Sequence, residues 1–192
     1  MPKFAMKMER KESNLASFNN DWYKNGKPFL IDLLWYFTNA AFFKSAFPLN
    51  GVKISILKLY GAKIGEGVVI KPHVNIKYPW LLSVGNHVWI GEQVWIDNLT
   101  KVTIEDHACI SQGAMLLCGN HHYKKTTFDL IVREIKIGKG SWVGAKCVVC
   151  PGVIVGSHAV LTVGSIATSH LKEYTIYQGN PAQPIKERII KE

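Results

Sequence analysis

Acidic residues are scarce in this sequence: 14 Asp and Glu stand against 23 Lys and Arg, a formal net charge of +9. Charged residues of both signs make up only 19% of the chain, whereas hydrophobic ones reach 47%. A chain of 192 residues with that balance can bury a core, which excludes wholesale disorder. Cysteine is also sparse, at four residues. Cys109, Cys118, Cys147 and Cys150 fall at different offsets of the repeat described below and so face different ways. They are read as free thiols of a reducing cytoplasm, despite the C-x-x-C spacing of the last two. No secretory signal is expected, since MPKFAMKMERKESN carries charges without a following apolar run. The basic excess comes with no nucleic-acid motif, so no nucleic-acid partner is expected.

A long apolar run is almost absent as well. FLIDLLWYFTNAAFFKSAF, at 29–47, is close to the minimum for a membrane span, and Asp32 and Asn39 inside it argue against one. It predicts a helix, either buried against the rest of the protein or a neighbouring subunit, or lying on an anionic membrane surface. The flanking charge suits the second option: residues 1–63 hold ten Lys or Arg against four Asp or Glu, a balance of +6. This N-terminal extension, 1–63, is read as modifying where the protein sits rather than as needed for the folded body. Localisation is then cytoplasmic, with contact at the inner face of the membrane through 29–47.

What the sequence has in quantity is a period of six. Residues 137–166 read IGKGSW, VGAKCV, VCPGVI, VGSHAV, LTVGSI. Each unit opens on an aliphatic residue: Ile137, Val143, Val149, Val155 and Leu161. Four places later comes a small or β-branched one: Ser141, Cys147, Val153, Ala159 and Ser165. Neither helical nor alternating-strand templates fit five units in a row, and a six-residue period points to a parallel β-helix. Each unit is a short strand and a turn, and the coils stack with the aliphatic side chains along the axis. The period starts at Ile64, takes an insertion at YPWLLS, slips at Val102–Thr103 and breaks at Leu116. It resumes at Ile137. The prediction is an all-β prism over 64–169 of about five coils, a loop at 117–136 and a C-terminal tail at 170–192. A prism this short leaves flat apolar faces to cover, which predicts association with further copies of the chain.

Five of the seven histidines, His73, His87, His107, His158 and His170, sit three places after a repeat-opening residue. That slot is an outer turn. His121 and His122 lie instead where the repeat breaks, and loops on a rigid scaffold are where reactive groups are displayed. A histidine with its unperturbed pKa of about 6.5 can take a proton near neutrality.

The units of 64–169, the GNHHY loop and the closing GNPAQPIK resemble the hexapeptide-repeat acyltransferases. IKPHVNIKYPW, WIGEQVWIDNL and CISQGA are most similar to the colanic acid biosynthesis acetyltransferase group, and the likeness extends back through WYKNGKP. That resemblance implies a left-handed parallel β-helix, a trimer and transfer of acetyl from acetyl-CoA to a sugar hydroxyl, with no metal required. The acceptor it implies is a sugar or sugar-lipid of polysaccharide biosynthesis. By the same resemblance His121 is the catalytic base. The next position, often Asp in the family, is His122, and its contact with the acceptor stays open. Asp97 and Asn98 match the acceptor side, or form a turn with side-chain-to-backbone bonds. The resemblance puts Trp142, Gly144, Ala145, Gly164 and Ser165 along the pantetheine arm, with Lys186 and Arg188 facing the CoA phosphates. The competing readings are a zinc-dependent hydratase of the carbonic-anhydrase type using His107 with His121 and His122, and a catalytically silent scaffold.

Overall fold

The computed structural model describes residues 10–191. The opening nine residues, on which the reading of the N-terminus as lacking a signal partly rests, lie outside that range. From Lys63 the chain winds through three parallel sheets that form the faces of a prism. The first face stacks Lys63–Ile64, Leu82–Val84, Val102–Ile104, Ile135–Ile137 and Ile154–Val155. The second runs Val69–Ile70, Trp89–Ile90, Cys109–Ile110, Trp142–Val143 and Val160–Leu161, and continues into Thr175–Gly179. The third holds Asn75–Ile76, Trp95–Asp97, Met115–Leu117, Val148–Val149 and Ile166–Ala167. The fold is therefore the parallel β-helix that the period predicts, with five complete coils and a partial sixth.

The six-residue rule is a rule about corners. Each unit-opening residue points inward, so Ile70, Ile90, Ile110, Val143 and Leu161 form one buried column and Ile76, Ile96, Leu116, Val149 and Ala167 another. The residues four places on are also buried, Ser141, Cys147, Val153, Ala159 and Ser165 among them. Between these two inward positions the chain must turn sharply, and it does so with one residue in the left-handed region. His73, His87, His107 and His158 have φ of 59°, 55°, 59° and 59°, and Gln93 and Lys146 take the same slot at 58° and 55°. Histidine is among the non-glycine residues that enter this region most readily. The fifth histidine, His170, marks the end of the pattern and instead accepts the Ile154 N–H at its Nδ1, 3.1 Å away.

The N-terminal extension closes the lower end of the prism. Residues 29–43 form a helix, α1 (Phe29–Thr38), that runs into a π-helical turn at Asn39–Phe43. A second helix, α2 (Asn50–Leu59), follows in a segment that shows little helical period. Trp35, Phe43 and Leu57 are buried in the same core as the coils. The backbone groups of the first coil have no coil beneath them, and unmet buried groups are costly. Side chains of the extension replace the missing coil. Asn50 Oδ1 accepts the Ile70 N–H at 2.8 Å while its Nδ2 donates to Val68 O at 2.8 Å. Trp35 Nε1 donates to Ile76 O at 2.9 Å. The fully buried Lys53 ammonium donates to the carbonyls of Lys71 at 3.0 Å and Ile70 at 3.4 Å. Desolvation lowers its pKa. The extension thus packs onto the first coil and shares its core. At the upper end Ala182–Glu187 pairs antiparallel with Thr175–Gly179 and ends the second sheet. No helix among the described residues is long and apolar enough to cross a membrane.

Candidate active site

The chain leaves the prism after Met115–Leu117 on the third face and returns at Ile135–Ile137 on the first. Between them Gly119–His121 and Leu130–Val132 pair as an antiparallel hairpin, with His121 opposite Leu130. An isolated hairpin is marginal in water. This one is anchored at its root by the coils and beyond its strands by the N-terminal arm, where the Asn14 N–H donates to Thr126 O at 2.8 Å.

His121 Nδ1 lies 2.9 Å from the carbonyl oxygen of Phe128. A carbonyl can only accept, so Nδ1 carries the proton and Nε2 of the neutral ring keeps a free lone pair. The Phe128 ring stacks on the imidazole with centroids 4.4 Å apart and planes 9° from parallel. Phe18 of the arm tilts against it at 5.7 Å. Phe128 itself has φ of 52°, an uncommon conformation for a bulky residue. Backbone and ring together therefore fix one tautomer and one orientation of His121.

His121 lines a cleft of about 440 Å³ with Phe18, Tyr23, Tyr78, Asp97 and Leu99 among its walls. Asp97 ends a third-face strand one coil below the hairpin. Lys77 Nζ stands 3.0 Å from Asp97 Oδ1, a charge contact without hydrogen-bond alignment, because that buried oxygen has no hydrogen-bond partner. The Tyr23 hydroxyl donates to Leu99 O at 2.5 Å. Burial, with Tyr78 and Asp97 nearby, pushes the phenol pKa up, so Tyr23 stays neutral. Asn98 is fully buried. Its Oδ1 accepts the Tyr78 N–H at 3.0 Å and its Nδ2 donates to Tyr78 O at 2.6 Å. Both amide atoms are spent on holding Tyr78 against the cleft. His122 is absent from the cleft wall. Its N–H donates to Asp129 O at 2.8 Å. The Asp129 carboxyl, hydrogen-bonded first by Lys125 and then by Thr127, has its pKa lowered.

The residues assigned to the acyl donor divide in two. Trp142, Val160, Ile176 and Lys186 occupy one register row across the second face. The exposed Trp142 indole donates to Ser111 Oγ at 2.8 Å. Round the corner toward the third face, the Gly164 N–H donates to Ala145 O at 2.9 Å, and a Cβ on Gly164 would meet open space. Gly144 is a packing requirement: a Cβ there would lie 2.7 Å from Leu161 O. Ser165 and Arg188 are engaged inside the chain. Ser165 is buried and its Oγ accepts the Gly179 N–H at 3.0 Å. The Arg188 guanidinium donates to Gly140 O at 2.9 Å and His158 O at 3.0 Å. His121 stands at the edge between the third and first faces, whereas Ala145 and Gly164 stand at the edge between the second and third. Within one chain these two groups are on different edges.

Sequence reasoning gave no role to Phe18, Tyr23, Lys77, Tyr78 or Phe128. The segments WYKNGKP and IKYPW carried the signal for three of them. His107 stacks on His87 in the turn column, 5.2 Å between centroids, at another edge from His121. Among the described residues no group of three His, Cys, Asp or Glu could hold a metal ion.

A parallel β-helix whose one long excursion carries an oriented histidine over a cleft defines a class by architecture, the hexapeptide-repeat proteins. Comparison with known proteins narrows it. No protein-family model matches the sequence. The chain is 34% identical over 167 residues, 87% of its length and 92% of the relative's, to the colanic acid biosynthesis acetyltransferase WcaF of Escherichia coli K12. It is 28% identical over 136 residues to the galactoside O-acetyltransferase of the same organism, covering 69% of this chain and 67% of that one. A hexapeptide-repeat acetyltransferase from Vibrio cholerae shares the fold, with a TM-score of 0.75 over 82% of this chain and 90% of the other, at 18% identity. The chain belongs to the hexapeptide-repeat acetyltransferases, in the colanic acid biosynthesis acetyltransferase group.

Proposed function

We propose that this protein is an O-acetyltransferase that moves the acetyl group of acetyl-CoA to a sugar hydroxyl in polysaccharide biosynthesis, with His121 as general base. The observation that carries the reading is the Nδ1–H bond from His121 to Phe128 O, 2.9 Å, which leaves Nε2 free at the cleft. A sugar hydroxyl is a weak nucleophile until a base takes its proton. Nε2 accepts that proton as the oxygen attacks the thioester carbonyl, and the resulting imidazolium returns it to the departing thiolate. A positioned base of this kind contributes roughly 10²–10⁴-fold, and alignment of the two reactants supplies much of the rest. Asp97 and Tyr78, both on the cleft wall, suit the acceptor: a carboxylate for its hydroxyls and a ring for its apolar face. Trp142, Gly164 and Lys186 suit the donor: an exposed indole, an open glycine backbone and a cation in reach of phosphate. Vibrio cholerae and galactoside acetyltransferases of the same fold have been crystallised with acetyl coenzyme A and coenzyme A.

The separation of His121 from the donor row within one chain supports a homotrimer in which one copy offers the base and a neighbour the donor surface. The side of α1 away from the cavity, with Leu30, Leu34 and Phe37 exposed, supports peripheral contact of a cytoplasmic enzyme with the inner membrane face. The test is thiol release from acetyl-CoA by the purified protein with hexose acceptors, together with sedimentation. Acceptor-dependent release by a trimer is expected. Release that is absent for every sugar, or a stable active monomer at micromolar concentration, overturns the corresponding part.

A further inference from the structure

A second cavity adjoins the His121 cleft. It measures about 430 Å³ and lies between α1 and the third face, lined by Phe29, Trp35, Tyr36, Asn39, Asn75 and Trp95, with Asp32 and Lys44 also on its wall. Lys77, Tyr78 and Asp97 line both cavities, so the two meet along that strip. Its size is that of a small-molecule site.

Three buried side-chain oxygens in the described structure have no hydrogen-bond partner: Asp32 Oδ1, Asn39 Oδ1 and Asp97 Oδ1. All three belong to residues on this one wall. Asn39 is only 8% exposed, and its Nδ2 is already given to Asn75 Oδ1 at 2.8 Å. Asp32 Oδ2 is likewise taken by Asn25 Nδ2 at 2.6 Å. Asp32 and Asn39 are thus each held by one polar atom and present the other unpaired, whereas Asp97 Oδ1 has only the Lys77 ammonium beside it, 3.0 Å away. Buried acceptors without donors are costly and call for a partner.

The chemistry of that partner follows from the wall. It must bring several donors at once, since acceptors alone are unpaired. It must also offer apolar surface to the rings of Phe29, Tyr36, Tyr78 and Trp95. It carries no net charge, because Asp32 and Asp97 are balanced by Lys44 and Lys77. A neutral pyranose meets all three conditions, with hydroxyls to donate and a C–H face to lie on an aromatic ring.

We propose that this cavity is a second sugar subsite, so that the acceptor is a glycan of at least two units. One ring places its hydroxyl at His121 and the next lies under α1. This rests on the sugar O-acetyltransferase reading and extends it to the length of the acceptor. It also accounts for the arm and α1 being packed beside the site.

The test is equilibrium binding to the full chain without acetyl-CoA, followed by turnover with it. The probes are neutral α- and β-linked gluco- and galacto-configured disaccharides, each against its own monosaccharides. At least one disaccharide is expected to bind ten-fold or more tightly than either component. Asp32→Asn, Asn39→Leu and Tyr36→Ala should each erase that preference while leaving monosaccharide kcat and KM unchanged. Tyr36 is 65% exposed, so its variant tests the cavity without risk to the core. Equal affinity for disaccharides and monosaccharides overturns the subsite, as does a preference that survives all three variants. Acetyl transfer to monosaccharides with no disaccharide preference sinks this proposal and spares the transferase reading. Disaccharide binding lost in the variants, with no transfer to any sugar, does the reverse.

Discussion

The coils and the hairpin of 119–132 follow opposite logics. In the coils every residue type answers to its offset: aliphatic at the first place, left-handed turn at the fourth, small at the fifth. The same inward column is filled by one residue type after another up the stack, as with Ile70, Ile90, Ile110, Val143 and Leu161. In the hairpin no position repeats, and one imidazole is held by a carbonyl, a stacked phenyl ring and an arm from the far N-terminus. The repetitive part supplies rigidity, and the singular part supplies chemistry.

Substitutions can set the two regions apart, and the largest effect belongs to the hairpin. His121→Ala should lower kcat by about 10²–10⁴-fold and leave the unfolding temperature and assembly unchanged, read by steady-state kinetics beside calorimetry. His122→Ala, off the cleft wall, should change acceptor KM modestly. If the two variants exchange phenotypes, the hairpin's assignment moves by one residue. In the coils, Ile110→Ala should behave oppositely. A fully buried Ile truncated to Ala costs about 2–5 kcal/mol, seen in denaturant midpoints, while the remaining folded protein keeps its kcat. Next comes the turn slot. His107→Val places a β-branched residue at φ of 59°, and should cost about 1–3 kcal/mol. His107→Gly should be close to neutral. Equal losses for both would show that stacking on His87, not backbone conformation, decides the slot.

The last effect is confined to alkaline pH. The Cys118 thiol is fully buried at the point where the chain leaves the coils, and desolvation pushes its pKa up to about 12 from 9.0. The folded state therefore holds this proton after the unfolded chain has released it. The stability linked to it is full below about pH 9 and is lost as pH rises toward 12. Cys118→Ala should flatten that alkaline decline in a denaturation series, and an unchanged slope would assign the decline to other groups.

The coils were legible because their physics is local: a six-residue window contains the inward residue, the turn and the next inward residue. The break at Leu116 was legible for the same reason, and with it His121. The helix α2 was not, because its buried side consists of Lys53 and Leu57, and a lysine does not read as a core residue. Its ammonium is buried only because the first coil leaves carbonyls to be met. Tyr23 escaped notice for a different reason. Its partner Leu99 is 76 residues away, and no periodicity reports a contact of that span. Asn98 was left between two roles, and its geometry gives it the supporting one beneath Tyr78.

A stack of coils has no intrinsic length. Its last rung looks like every other, with unpaired N–H and C=O groups that another copy could extend, so open ends invite filaments. The side chains of Asn50, Lys53 and Trp35 at one end and the antiparallel strand Ala182–Glu187 at the other make those terminal rungs unlike the rest. A buried ammonium in particular is a poor surface for an arriving strand. The lower end is thereby made a poor template for a further rung, and the groups that do so lie outside the repeat.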